Sequence, residues 1–150
     1  MEASLEKEIV GILSQDTKAV DDRLQALCEL LRSSLPGYDW VGFYFHKEAE
    51  EVLELGPYAG EPTDHTIIPF GKGICGQVAL SDENFVVPDV SAQDNYIACS
   101  IHVKSEIVVP LFVNGKNIGQ IDVDSHSPDI FDESDERLLE YVNTEVAKIL

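Results

Sequence analysis

Two of the three cysteines sit where a thiol can work. Cys75 lies in the glycine run Gly71-Lys72-Gly73-Ile74-Cys75-Gly76, and Cys99 in the polar-flanked stretch Asn95-Tyr96-Ile97-Ala98-Cys99-Ser100. The third, Cys28, falls on an apolar helical stripe and reads as a small buried hydrophobe. Further on, Gln120-Ile121-Asp122-Val123-Asp124 alternates cleanly. Ile121 and Val123 face a core, so Asp122 and Asp124 share the opposite face of a strand. Aspartate is depleted in strands, and an almost wholly apolar neighbouring strand carries Glu106. Carboxylates crowded on one face repel one another, so at least one is expected to keep its proton to a higher pH than usual. Such a group donates a proton near neutrality, while ionised neighbours attract a cation such as a substrate ammonium. Loop thiols beside these acids point to redox chemistry on a small molecule.

Whether Glu106 joins the aspartates depends on the hairpin around Asn114-Gly115. A two-residue type I′ loop pairs Val113 with Lys116 and sets Glu106 opposite Val123, on the wrong face. A three-residue loop with a G1 bulge at Gly115 pairs Phe112 with Lys116 and sets Glu106 opposite Asp122. The bulged register is expected. Trp40 and Tyr44, four apart with Gly42 between them, share one strand face. Core packing is the usual fate of such a pair; the alternative is an aromatic pocket wall over an apolar tail or a sulfur. Oxygen ligands suit a hard metal, but no calcium-loop spacing is present and neither His65 nor His102 has a helical i, i+4 partner. No metal or other cofactor is expected.

The glycine run matches GxGxxG, yet a dinucleotide fold needs repeated βαβ units that the hairpin-rich remainder cannot supply. A tight turn into a short helix from Ile74 to about Leu80 fits better. That puts Cys75 in the first turn, where the helix dipole favours thiolate. By this argument alone Cys75 would be the nucleophile.

The elements that must hold these residues follow from periodicity. Val20, Leu24, Leu27, Cys28 and Leu31 predict a helix from about Thr17 to Ser34, preceded by a shorter one over 5–13 and stopped by Pro36-Gly37. Strands are expected at 40–45, 52–55, 66–68, 85–87, 107–113 and 118–124. Asp132 caps a last helix with the stripe Leu138, Leu139, Val142, Val146 and Ile149. Helices at both ends with strands between predict an α+β fold with an antiparallel sheet.

At 150 residues the chain is expected to form one domain over 1–150. A net charge of −18 argues against nucleic acid or an anionic membrane as partner. No apolar run spans a bilayer and no signal pattern opens the chain, which predicts the cytoplasm and reduced thiols.

The segments Trp40-Val41-Gly42-Phe43-Tyr44, Leu55-Gly56-Pro57-Tyr58, the glycine run, Ile97-Ala98-Cys99, Ser105-Glu106-Ile107-Val108 and Ile121-Asp122-Val123-Asp124-Ser125 resemble those of the free methionine-(R)-sulfoxide reductases. The resemblance implies a GAF domain: a central antiparallel sheet with the N- and C-terminal helices packed on one face and a ligand pocket on the other. It implies that Cys99 is the attacking cysteine and Cys75 a resolving one. Glu106, Asp122 and Asp124 match the carboxylates that hold the substrate amine and assist protonation of the sulfoxide oxygen. Trp40 and Tyr44 match the aromatic pocket for the methyl-sulfur end. The implied chemistry passes through a cysteine sulfenic acid to a disulfide that thioredoxin reduces. Many members carry another cysteine ten positions before Cys75, where this chain has His65. The implied disulfide is then Cys75–Cys99, unless an outside thiol reduces the sulfenate. GAF analogy adds a homodimer through the terminal helices. The competing reading is a non-catalytic GAF sensor that keeps the pocket.

Overall fold

The computed structural model describes residues 3–93 and 102–150. Cys99 and the stretch around it lie outside the described residues. The elements in chain order are α1 (Ala3–Leu13), α2 (Val20–Ser34), β1 (Trp40–Lys47), β2 (Val52–Ala59), β3 (Ile67–Pro69), α3 (Gly73–Ser81), β4 (Phe85–Val87), β5 (Ser105–Val113), β6 (Lys116–Ser125) and α4 (Glu133–Ala147). Six strands form one sheet in the order β3-β2-β1-β6-β5-β4, and the pairings are antiparallel. The expected α+β architecture is present, with boundaries displaced by a few residues. α2 starts at Val20 with no side-chain cap, and Asp21 and Asp22 meet the positive end of its dipole instead. β2 continues past Gly56-Pro57, because Pro57 sits at a register shift where no ladder N–H is needed.

The pleat divides the sheet between two cores. Val41, Phe43, Ile107, Val109, Leu111, Ile121 and Val123 point toward α1, α2 and α4. Trp40, Tyr44, Leu53, Ile68, Val87 and Val108 point the other way and pack with Ile74, Cys75 and Val78 of α3. α4 begins with a capping box: Asp132 accepts from the backbone of Ser134 and Asp135, and Asp135 returns a carboxylate to the backbone N–H of Asp132. The other oxygen of Asp135 accepts the Tyr38 hydroxyl at 2.6 Å, which ties this cap to the start of β1. Cys28 is buried on α2 and burial pushes its thiol up, so it stays a protonated packing group. No helix among the described residues is long and apolar enough to cross a membrane.

The β5–β6 hairpin departs from its expected register. Asn114 and Gly115 both have positive φ (53° and 80°) and form a two-residue loop that pairs Val113 with Lys116. The ladder then shifts: Phe112 pairs with Asn117 but Leu111 with Gly119, so Ile118 is the extra residue. Asn117 makes this bulge tolerable, because its Oδ1 accepts the N–H of Gly119 at 3.2 Å and its Nδ2 donates to Asp82 at 2.9 Å. The result pairs Glu106 with Asp124 and Val108 with Asp122. The expected partner of Glu106 was Asp122, so the pairing is corrected by two residues. The shared face survives, since a shift of two leaves every side chain on the same side.

Candidate active site

Three strands and one helix converge on the acids. β6 presents Gln120, Asp122 and Asp124; β1, paired beside it, sets Tyr44, Gly42 and Trp40 opposite those three residues in turn. β5 brings Glu106 alongside Asp124. α3 closes the face from above and delivers Cys75 from its first turn. Gly71 and Gly73 have positive φ (87° and 64°), which the tight entry into α3 requires. A side chain on Gly76 would come within 2.6 Å of the Pro69 carbonyl, so the glycine run serves backbone approach.

The acids are not a solvated sheet face. Asp122 is 0 % exposed, Asp124 1 % and Glu106 4 %. The Cys75 thiol donates toward Glu106 Oε2 at 3.8 Å. Cys75 Sγ and oxygens of Glu106 and Asp122 all lie within 4.8 Å of one another, the one group among the described residues with the donor set for a metal ion. Among those residues neither oxygen of Asp122, nor Oδ1 of Asp124, nor Oε1 of Gln120 has a partner at ordinary hydrogen-bond geometry, and the groups nearest Asp122 are the Cys75 thiol and two other carboxyls. Burial pushes the Asp122 carboxyl above its ordinary range, against the nearby Glu106, Cys75 and Asp124, which act the other way. Asp124 is raised well above the usual value by burial first and the charge of Asp122 second. Buried acids that face mainly one another call for protons or a cation.

The aromatic wall is built on Gly42. A Cβ there would lie 2.4 and 2.7 Å from two ring carbons of Trp40 and 2.8 Å from Cβ of Tyr58. The Trp40 ring therefore folds back over the glycine, stacked on Tyr58 (centroids 5.4 Å apart) and tilted against Tyr44 (6.3 Å). Both polar tips hold the loop that follows β2: Trp40 Nε1 donates to the Glu61 carbonyl, and the Tyr44 hydroxyl to the His65 carbonyl, each at 3.0 Å. Replacing Gly42 by Ala is expected to displace Trp40 and Tyr58 and lower stability by about 1–3 kcal/mol. Thermal melts measure this, alongside the near-ultraviolet signal of the displaced tryptophan.

Trp40 and Asp124 also line a cleft of about 20 Å³ with Asp39, Glu61, Pro62, Thr63, Val103 and His126. That volume holds about one water. Cys75, Trp40, Tyr44, Glu106, Asp122 and Asp124 are thus brought together, and the position of Cys99 lies outside the described residues. Sequence reasoning passed over two neighbours. Gln120 is fully buried and donates Nε2 to the Cys75 carbonyl at 3.2 Å, pinning the first turn of α3 to the sheet. The alternation that placed Asp122 and Asp124 on this face includes Gln120 as well. Tyr58 was hidden because its strand was expected to stop before Gly56-Pro57.

The GAF domain family model matches residues 17–150. Protein YtsP of Bacillus subtilis is 39% identical over 133 residues, covering 89% of this chain and 80% of that protein. The free methionine-R-sulfoxide reductase of Escherichia coli is 31% identical over 148 residues, covering 99% of this chain and 87% of its own. The crystal structure of free methionine-R-sulfoxide reductase from Neisseria meningitidis in complex with its substrate superposes with a TM-score of 0.88 at 36% identity, over 95% of this chain and 84% of that one. With near-complete coverage by one such reductase and a shared fold with another, this chain belongs to the free methionine-R-sulfoxide reductase family of GAF-domain proteins.

Proposed function

We propose that this protein reduces free methionine-R-sulfoxide to methionine, with Cys99 attacking and Cys75 resolving. The observation that carries the reading is a buried acid cluster with a thiol against it: Cys75 beside Glu106, with Asp122 and Asp124 buried on the same face. Ionised carboxylates there hold the substrate ammonium, and a protonated one donates to the sulfoxide oxygen. The Cys99 thiolate attacks sulfur, the oxygen passes to the cysteine, and methionine and a Cys99 sulfenic acid result. Cys75 then displaces that oxygen as water to form the Cys75–Cys99 disulfide, and the dithiol of thioredoxin returns both thiols. Trp40 and Tyr44 flank the apolar methyl-sulfur end.

The test is chromatographic quantitation of methionine from free methionine-R-sulfoxide, its S epimer and a peptide-bound sulfoxide, with dithiothreitol and with thioredoxin. Selective consumption of the free R epimer with either reductant supports the reading. No product with either reductant sinks it and leaves a ligand-binding GAF module. A further prediction concerns residue 65, whose carbonyl is held at the pocket wall by Tyr44. His65→Cys supplies a third thiol at the position where many family members carry one. It is expected to speed thioredoxin-linked turnover in steady-state assays while leaving the yield of a single turnover unchanged.

A further inference from the structure

We infer that the reduced protein binds one zinc ion through Cys75, Glu106 and Asp122, and that this ion excludes the sulfoxide substrate. Sγ of Cys75 stands 3.8 Å from Oε2 of Glu106, and Sγ, one oxygen of Glu106 and one of Asp122 all lie within 4.8 Å of one another. Zinc bonds of about 2.3 Å to sulfur and 2.0–2.2 Å to oxygen put neighbouring ligands of a tetrahedron about 3.5 Å apart. Small side-chain adjustments therefore close three corners around one ion. The fourth is left to water or to another acceptor on this face.

Two independent features favour an ion here. Both oxygens of Asp122 are buried without a partner at ordinary hydrogen-bond geometry among the described residues, and so are Oδ1 of Asp124 and Oε1 of Gln120. A divalent cation satisfies such acceptors directly. The frame is also rigid: Asp122 sits in the middle of a strand paired on both sides, and Gln120 fixes the backbone of Cys75. The ligand chemistry selects the metal. A thiolate with two carboxylates suits zinc, whereas magnesium and calcium prefer oxygen alone. The ion is held only while Cys75 is reduced, because a sulfur in a disulfide has no thiolate to offer. Zinc and the substrate ammonium seek the same carboxylates, so each should weaken the other.

The competition part rests on the proposed substrate pocket; the metal part does not. The experiment titrates the reduced, chelator-treated full chain with zinc against a chromophoric chelator, and with cobalt(II) to read thiolate ligation by its near-ultraviolet charge-transfer absorption. One equivalent is expected to bind with that absorption present. Cys75→Ser should abolish the absorption, and Cys28→Ser should leave it. Glu106→Gln and Asp122→Asn should each weaken zinc by about tenfold to a hundredfold, with circular dichroism establishing that each variant is folded. Absent stoichiometric binding, or an absorption kept in Cys75→Ser and lost in Cys99→Ser, would overturn the site. Where the wild type turns over sulfoxide, the apparent zinc affinity should fall as methionine-R-sulfoxide is added. Turnover without such competition would overturn the exclusion. Zinc binding without any turnover would leave the metal site standing and condemn the reductase reading instead.

Discussion

Cys99→Ser is expected to lower consumption of free methionine-R-sulfoxide by more than about a thousandfold, the scale on which losing a nucleophile is felt. Cys75→Ser should behave differently. Its first turnover should still release about one methionine per chain, because in the proposed scheme attack and oxygen transfer need only Cys99 and an acid. What fails is the displacement of the sulfenic oxygen, so thioredoxin-linked turnover stops while a small excess of dithiothreitol restores part of the rate. Single-turnover product analysis, with trapping of the sulfenic acid by a dimedone-type reagent and mass spectrometry, separates the two variants. The opposite pattern, a burst in Cys99→Ser and none in Cys75→Ser, would exchange the two roles. That outcome has a physical rationale in the structure. Cys75 occupies the first turn of α3, where the helix dipole favours thiolate, although burial and the Glu106 carboxyl it donates to act against that charge. Cys28→Ser should leave all of these readouts unchanged, since its thiol is buried in the helix-side core and donates to the Pro57 carbonyl at 3.7 Å.

The sheet and the shared acid face were legible because period-two alternation is a local signal. Ile121 and Val123 had to point one way, and Asp122 and Asp124 the other. The exact pairing was not legible. It depends on a bulge at Ile118, and the device that permits it, the Asn117 amide bridging Gly119 and Asp82, joins groups as much as 35 residues apart. The depth of the acid face was equally hidden. Alternation predicts two faces but not which elements cover them, and α3 lies on these acids only because the glycine run lets the backbone pass close to Pro69. Tyr58 was missed for a related reason. Gly56-Pro57 looks like a strand end, and it becomes a strand interior only where β1 shifts register against it. His65 shows the reverse case. The sequence marked its difference from the family, and the structure adds that its carbonyl accepts the hydroxyl of the buried Tyr44.

Neutralising the acids is the second large effect. Glu106→Gln and Asp124→Asn are each expected to lower kcat/KM by about a hundredfold to a thousandfold, within the range that a positioned proton donor contributes. The pH dependence discriminates their roles. An acid that donates must be protonated, so the rate falls as pH rises through its raised pKa, while the rising limb reports formation of the thiolate. Asp124 is raised by burial first and by the charge of Asp122 second. Asp122→Asn removes that second cause, so Asp124 should ionise earlier and the falling limb should move to lower pH. If the limb stays in place, Asp124 is not the donor. Stability must follow the same linkage with a definite sign. A carboxyl whose folded pKa is raised binds more protons in the native state, so its stabilisation is complete below the unfolded value of 3.8 and is lost as pH rises through the folded value. Thermal melts of metal-free protein should therefore decline as pH increases from about 4 toward neutrality. Asp122→Asn and Asp124→Asn should flatten that decline, and melt higher near neutrality, because an amide has no charge to desolvate. Such variants would be more stable and less active, as expected where buried like charges are kept for the chemistry they perform.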